Sequence, residues 1–224
     1  MIIDSHVHCR DFRQAKKETV AHALEVARDS GLSAIFDMPN TDPPIVDKES
    51  VIARLILAKE ACVSEIFYGL YIGLTADPEQ IKRAVGLYRI SRNHGTKNVV
   101  GFKLYAGQSV GNLAVAELQD QSLVYAVLAH EGYDGVTVVH AEKESEFASE
   151  LWNPSSPLSH CLARPEKAEI ASVQDQIILT QTLGYKGKLH IPHISSPAAV
   201  TLISEAKKYG FDVSCSVCPH HFSF

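Results

Sequence analysis

The chain opens Met1-Ile2-Ile3-Asp4-Ser5-His6-Val7-His8-Cys9-Arg10, a short apolar run that passes into two histidines two residues apart. Side chains alternate along a strand, so residues two apart share a face and both imidazoles can offer nitrogens to one metal ion. The next stretch, 14–30, has a helical pattern and stops at Gly31. Strand, polar strand end and helix together make one β–α unit.

Outward from that unit the same alternation fills the chain. Strand-like runs occupy 1–8, 33–38, 65–73, 98–105, 135–140, 188–193 and 211–215. Helical patterns lie at 14–30, 48–61, 78–93, 115–131, 165–183 and 196–209. Pro78 and Pro165 stand where helices can begin, and Gly31, Gly95, Gly132, Gly184 and Gly210 where they should end. The alternation predicts an α/β fold of parallel strands with helical crossovers. Seven strands fit an open sheet or a TIM-like (β/α) barrel lacking the last of its eight β/α units. Polar residues at many strand ends favour the barrel, whose active site is built from such ends. A barrel one unit short would expose two strand edges and part of its core. No repeat, linker or boundary divides 1–224, so one domain is expected.

Composition excludes several classes. Of the 224 residues, 46% are hydrophobic and 21% charged, as in an ordinary globular protein. A net charge of −5 gives no reason to expect nucleic acid or an anionic membrane as partner. Apolar runs fall short of the roughly 18–20 residues of a spanning helix, and Asp4 interrupts any signal peptide, so a cytoplasmic location is expected. The five cysteines are an odd number and read as free thiols. Cys215 and Cys218 form a CxxC, but a structural zinc needs a second ligand pair and a redox CxxC usually opens a helix.

The chemistry gathers at the strand ends: His6, His8 and Arg10; Asn40; Lys103; His140; His190 and His193; His220 and His221. Lys103 lies between Phe102 and Leu104, so its amine either snorkels to water or is buried, and burial lowers an amine pKa. A neutral amine is a nucleophile toward carbon dioxide. Neutral imidazoles from His6, His8, His140 and His193 suit a borderline divalent ion such as zinc. Taken singly, Arg10 could be a surface arginine and Asn40 a turn residue.

Five segments, Asp4-Ser5-His6-Val7-His8-Cys9-Arg10, Met38-Pro39-Asn40-Thr41, Gly101-Phe102-Lys103-Leu104-Tyr105, Val139-His140-Ala141-Glu142 and Pro192-His193-Ile194-Ser195-Ser196, together resemble dihydroorotases of the amidohydrolase superfamily. Arg164-Pro165-Glu166-Lys167-Ala168-Glu169 and Cys218-Pro219-His220-His221 look like two further family segments. The resemblance runs through nearly the whole chain in order. It implies two divalent metal ions, zinc by donor type, with His6 and His8 on the more buried ion and His140 and His193 on the other. Lys103, carboxylated by carbon dioxide, would bridge them. His193 rather than His190 matches the family's His-Ile-Ser pattern. Arg10 and Asn40 would hold the substrate carboxylate, a task suited to a planar bidentate donor. The implied activity is reversible ring opening of dihydroorotate to N-carbamoyl-aspartate in pyrimidine biosynthesis.

Two departures from the family pattern accompany the resemblance. The aspartate expected at the end of strand eight, which shuttles the proton, lies beyond Phe224, so no residue here takes the catalytic acid–base role. The flanking β-sandwich is also missing ahead of Met1. Besides a truncated hydrolase, the sequence fits a catalytically silent metal-binding barrel fragment or assembly partner, or a hydantoinase or dihydropyrimidinase. The expected partners are a small-molecule substrate and either a second copy or a complementing C-terminal segment.

Overall fold

The computed structural model describes residues 1–109 and 112–222. The chain is α/β, its strands and helices alternating as the sequence predicts. It divides into two compact units, Met1–Leu104 with Ser109–Leu113, and Tyr105–Gln108 with Ala114–Phe224.

In the first unit, β1 (Ile3–Val7), β2 (Ala34–Asp37), β3 (Phe67–Gly73) and β4 (Val99–Tyr105) pair in chain order, each pair parallel. The run of buried residues along β3 and β4 is that of parallel strands covered on both faces. Phe102 and Leu104 are fully buried, each worth about 1.5–3 kcal/mol relative to exposure. By contrast Ile2, just ahead of β1, and Ile3, at its start, are exposed, at 62% and 45%.

Helices α1 (Val20–Asp29), α2 (Lys48–Glu60) and α3 (Pro78–Asn93) connect these strands. The Asp47 and Ser50 side chains close a capping box on α2, and Asp77 caps α3 with Pro78 in its first turn. Only α1 begins well after its predicted start. Residues 12–14 make a 3-10 turn, the Asp11 N–H donates to Glu18 O at 3.0 Å, and the Asp11 carboxylate accepts from Val20 N. That closed loop delays the helix until Thr19 caps it.

In the second unit, β5 (Val136–His140), β6 (Lys188–Ile191) and β7 (Val213–Cys215) again pair parallel and in chain order. The helices are α4 (Leu118–His130), α5 (Ser159–Ala163), α6 (Glu166–Thr182) and α7 (Pro197–Lys208). The short α5 has no counterpart in the periodicity, five residues being too few to display one. Gly132 and Gly184 take positive φ just after α4 and α6, the left-handed stop their positions predict. Strand β6 ends two residues before His193, which the sequence pattern includes in the strand. His193 sits in the following loop with φ of 43°. Among the described residues no helix is long and apolar enough to cross a membrane.

Candidate metal and substrate site

In the first unit, β1 carries His6, and His8 follows just beyond its end. Their ring centroids lie 5.1 Å apart. His8 Nδ1 is 2.8 Å from Asn40 Oδ1, so Nδ1 carries the proton and donates, leaving the lone pair on Nε2. Burial pushes the His8 pKa down to about 4, helped by the nearby Arg10 and Lys103 charges and opposed by the Asn40 hydrogen bond. The imidazole is therefore neutral near pH 7, the form a metal requires.

Asn40 is buried, and its backbone carbonyl accepts from Arg10 Nη1 at 2.8 Å. The two residues expected to hold a carboxylate are thus in direct contact. Lys103, in β4, is 1% exposed, and burial brings its amine down to about 7. An amine so perturbed is partly neutral near pH 7 and chemically suited to carboxylation.

In the second unit, His140 at the end of β5 meets His193, with Nδ1 and Nε2 3.3 Å apart. Two nitrogens bonded at about 2.0–2.1 Å to one tetrahedral ion are separated by about that distance, so the pair fits a zinc-type ion. His190 turns elsewhere: its ring nitrogens lie 2.9 Å from Ser214 Oγ and 3.0 Å from Ser216 Oγ.

The His140 Nε2 atom is 3.4 Å from Glu142 Oε2, and Glu142 in turn accepts from Arg164 through Nε at 2.7 Å and through Nη2. Burial alone would push the Glu142 carboxyl up, but the His140 and Arg164 contacts bring it down to about 2. Glu169 accepts the backbone N–H groups of Ser195 and Ser196, at 3.1 and 2.7 Å, and so ties α6 to the loop bearing His193. A cleft of about 620 Å³ opens here, lined by His140, Glu142, Arg164, Glu169 and His193 among others. Among the described residues no three His, Cys, Asp or Glu side chains form a metal-binding group. The histidines come together in pairs.

Two supports are not foretold by the sequence pattern. The Glu142–Arg164 pair joins residues 22 apart, and a buried Arg54–Asp37 pair joins α2 to β2. The one available signal for the latter is Asp37 itself, an acid inside the apolar run 34–38.

The fold resembles that of (β/α)-barrel proteins. The structure is similar to L-hydantoinase from Arthrobacter aurescens, with a TM-score of 0.82 at 23% identity over 100% of this chain and 48% of that one. It is also similar to a dihydroorotase of Saccharomyces cerevisiae in complex with 5-fluoroorotic acid, with a TM-score of 0.72 at 19% identity over 100% of this chain and 57% of that one.

Sequence comparison is more specific. The chain is 31% identical over 220 residues to dihydroorotase of Aeropyrum pernix, covering 98% of this chain and 45% of the relative. It is 28% identical over 230 residues to allantoinase of Deinococcus radiodurans, covering 100% of this chain and 48% of the relative. No family model matches. Its relatives are therefore cyclic amidohydrolases, dihydroorotases among them, and the chain spans about half the length of the curated relatives it matches.

Proposed function

We propose that the chain carries the metal-binding and carboxylate-binding residues of a dihydroorotase-type hydrolase, which reversibly opens dihydroorotate to N-carbamoyl-aspartate in pyrimidine biosynthesis. The contact between Arg10 and Asn40, next to the neutral His8, is the observation that carries the reading. A ring bearing a carboxylate gives a cationic fork and an amide a reason to stand together. Hydantoin and allantoin lack that group.

His6, His8 and Lys103 in the first unit, and His140 and His193 in the second, are the proposed ligands of divalent metal ions, zinc by donor type. When bound, such an ion polarises the ring amide carbonyl as a Lewis acid. The protein's own contribution is positional and electrostatic. His8 is held neutral by burial and aimed by Asn40. The Lys103 amine attacks carbon dioxide, forms the new N–C bond and loses a proton, leaving an anionic carbamate that acts as an oxygen donor. Its lowered pKa supplies the neutral amine this step needs. Arg10 and Asn40 bind and orient the ring through its carboxylate. The proton-transferring aspartate is assigned to no residue of this chain.

The test is release of N-carbamoyl-aspartate from dihydroorotate by the zinc-loaded chain in bicarbonate buffer, alone and with the relatives' C-terminal half added in trans. Turnover that needs zinc supports the proposal. No turnover in either arm, with zinc bound, leaves a silent metal-binding fragment. Faster turnover of allantoin or hydantoin than of dihydroorotate would move the assignment to those substrates.

A further inference from the structure

Arg54 lies in the middle of α2 and is 0% exposed. An arginine in that setting needs several partners, because desolvating an unpaired guanidinium is strongly unfavourable. Its Nε donates to Asp37 Oδ2 at 3.1 Å, and Nη2 makes a second contact with the same oxygen. Nη1 donates to the backbone carbonyl of Arg10 at 3.0 Å and lies 3.3 Å from Asp11 Oδ2. The guanidinium also lies 5.4 Å from the Phe12 ring centroid.

Asp37 is equally buried and reaches the same segment. Its Oδ1 accepts from the Cys9 N–H at 2.9 Å, and its Oδ2 accepts from the Tyr68 hydroxyl at 2.7 Å. Arg10, Asp11 and Phe12 have φ of 43°, 54° and 48°, three consecutive non-glycine residues in the left-handed region. Such a run persists only where its surroundings over-determine it. Its surroundings include the Glu18 carbonyl and the Val20 N–H on Asp11 and, from the side of the strands, the Arg54 guanidinium and the Asp37 carboxylate. Asp37 also ends β2, three residues before Asn40. One carboxylate therefore ties the segment bearing Arg10 to the strand end bearing Asn40.

We propose that Arg54 and Asp37 are positioning residues: a buried ion pair that holds the Cys9–Phe12 segment, with its positive φ at Arg10, Asp11 and Phe12, and so aims Arg10 at the ligand carboxylate. The link to a ligand rests on the carboxylate reading above, whereas the clamp on the backbone does not.

Arg54→Met, Arg54→Lys and Asp37→Asn are compared with the unaltered chain by two readouts. Amide hydrogen exchange is followed at Cys9 and Asp11, with Leu70 and Gly73 in β3 as controls. Orotate, a planar ring carboxylate, is titrated calorimetrically into each zinc-loaded protein. The expected result is exchange at least tenfold faster at Cys9 and Asp11 with β3 unchanged, and orotate affinity at least tenfold weaker. Lys at position 54, which keeps the charge but loses the fork, should recover part of both. If Arg54→Met does not fold, Arg54→Lys and Asp37→Asn give the same reading.

Unchanged exchange at Cys9 and Asp11 in a folded variant overturns the proposal. Faster exchange with undiminished orotate binding overturns the link to Arg10. Failure of the unaltered chain to bind orotate defeats the carboxylate reading, and the exchange data then decide the clamp by themselves.

Discussion

His140 Nδ1 lies 3.3 Å from His193 Nε2, close to the separation of two nitrogens on one tetrahedral ion. His140 ends β5 and His193 lies in the loop that follows β6, both in the second unit. His193→Ala is expected to weaken zinc binding by tenfold or more while the fold is retained. Zinc titration with a chromophoric competitor measures it, and an unchanged affinity would remove His193 from the ligand set.

The loop bearing His193 depends on a residue it does not adjoin in sequence. Glu169 accepts two backbone N–H groups from that loop and the Ser195 hydroxyl, at 2.8 Å. Supports of this kind typically change metal affinity by about 10–100-fold. Glu169→Ala should fall at the lower end, about tenfold, and Glu169→Gln should recover little, because an amide oxygen replaces only one of the two acceptors. The same competitor titration reads both variants.

The Glu142 carboxyl, held near 2 in the folded chain against an ordinary value of 4.5, makes stability depend on acidity. Its folded value is the lower one, so its contribution is fully present above about pH 4.5 and is lost as the pH falls toward 2. With both partners part-exposed, that contribution is on the order of 1–2 kcal/mol after screening. Arg164→Met removes one of the groups holding it down. The acid-unfolding midpoint should then move upward, and carbon-detected NMR should show the Glu142 carboxyl titrating above 2.

Lys103 is predicted to carry carbon dioxide. Its amine, brought to about 7 by burial, gains its neutral form as the pH rises through that value. With ¹³C-bicarbonate, a carbamate resonance should grow from pH 6 to pH 8 and be absent in Lys103→Ala. A resonance of equal intensity in that variant would refer it to another amine.

Much of this organisation is legible in the residues. Parallel strands written as unbroken apolar runs, Pro78 opening a helix and glycines closing others all express local rules, and α3 occupies the predicted 78–93. Lys103 stands out for a similar reason, since a charge inside such a run is conspicuous. His193 is recognisable as a residue but not as a conformation, because a left-handed φ in a histidine leaves no periodic trace. Arg54 is less visible still. Three residues from Val51 on one face of α2, it looks like any helix arginine until Asp37 and the Arg10 carbonyl are in place around it. Long-range polar pairing is the part that sequence spacing does not encode.

Arg10 and Asn40, in contact with each other, are assigned the selection of a ring that carries a carboxylate. The most direct measurement compares Arg10→Met with the unaltered, zinc-loaded chain, complemented in trans where turnover requires it, on dihydroorotate and on uncharged hydantoin. The expected result is that kcat/KM for dihydroorotate falls at least a hundredfold, mainly through KM, while that for hydantoin changes less than threefold. Equal losses on both substrates, or no loss on dihydroorotate, would remove Arg10 from carboxylate recognition.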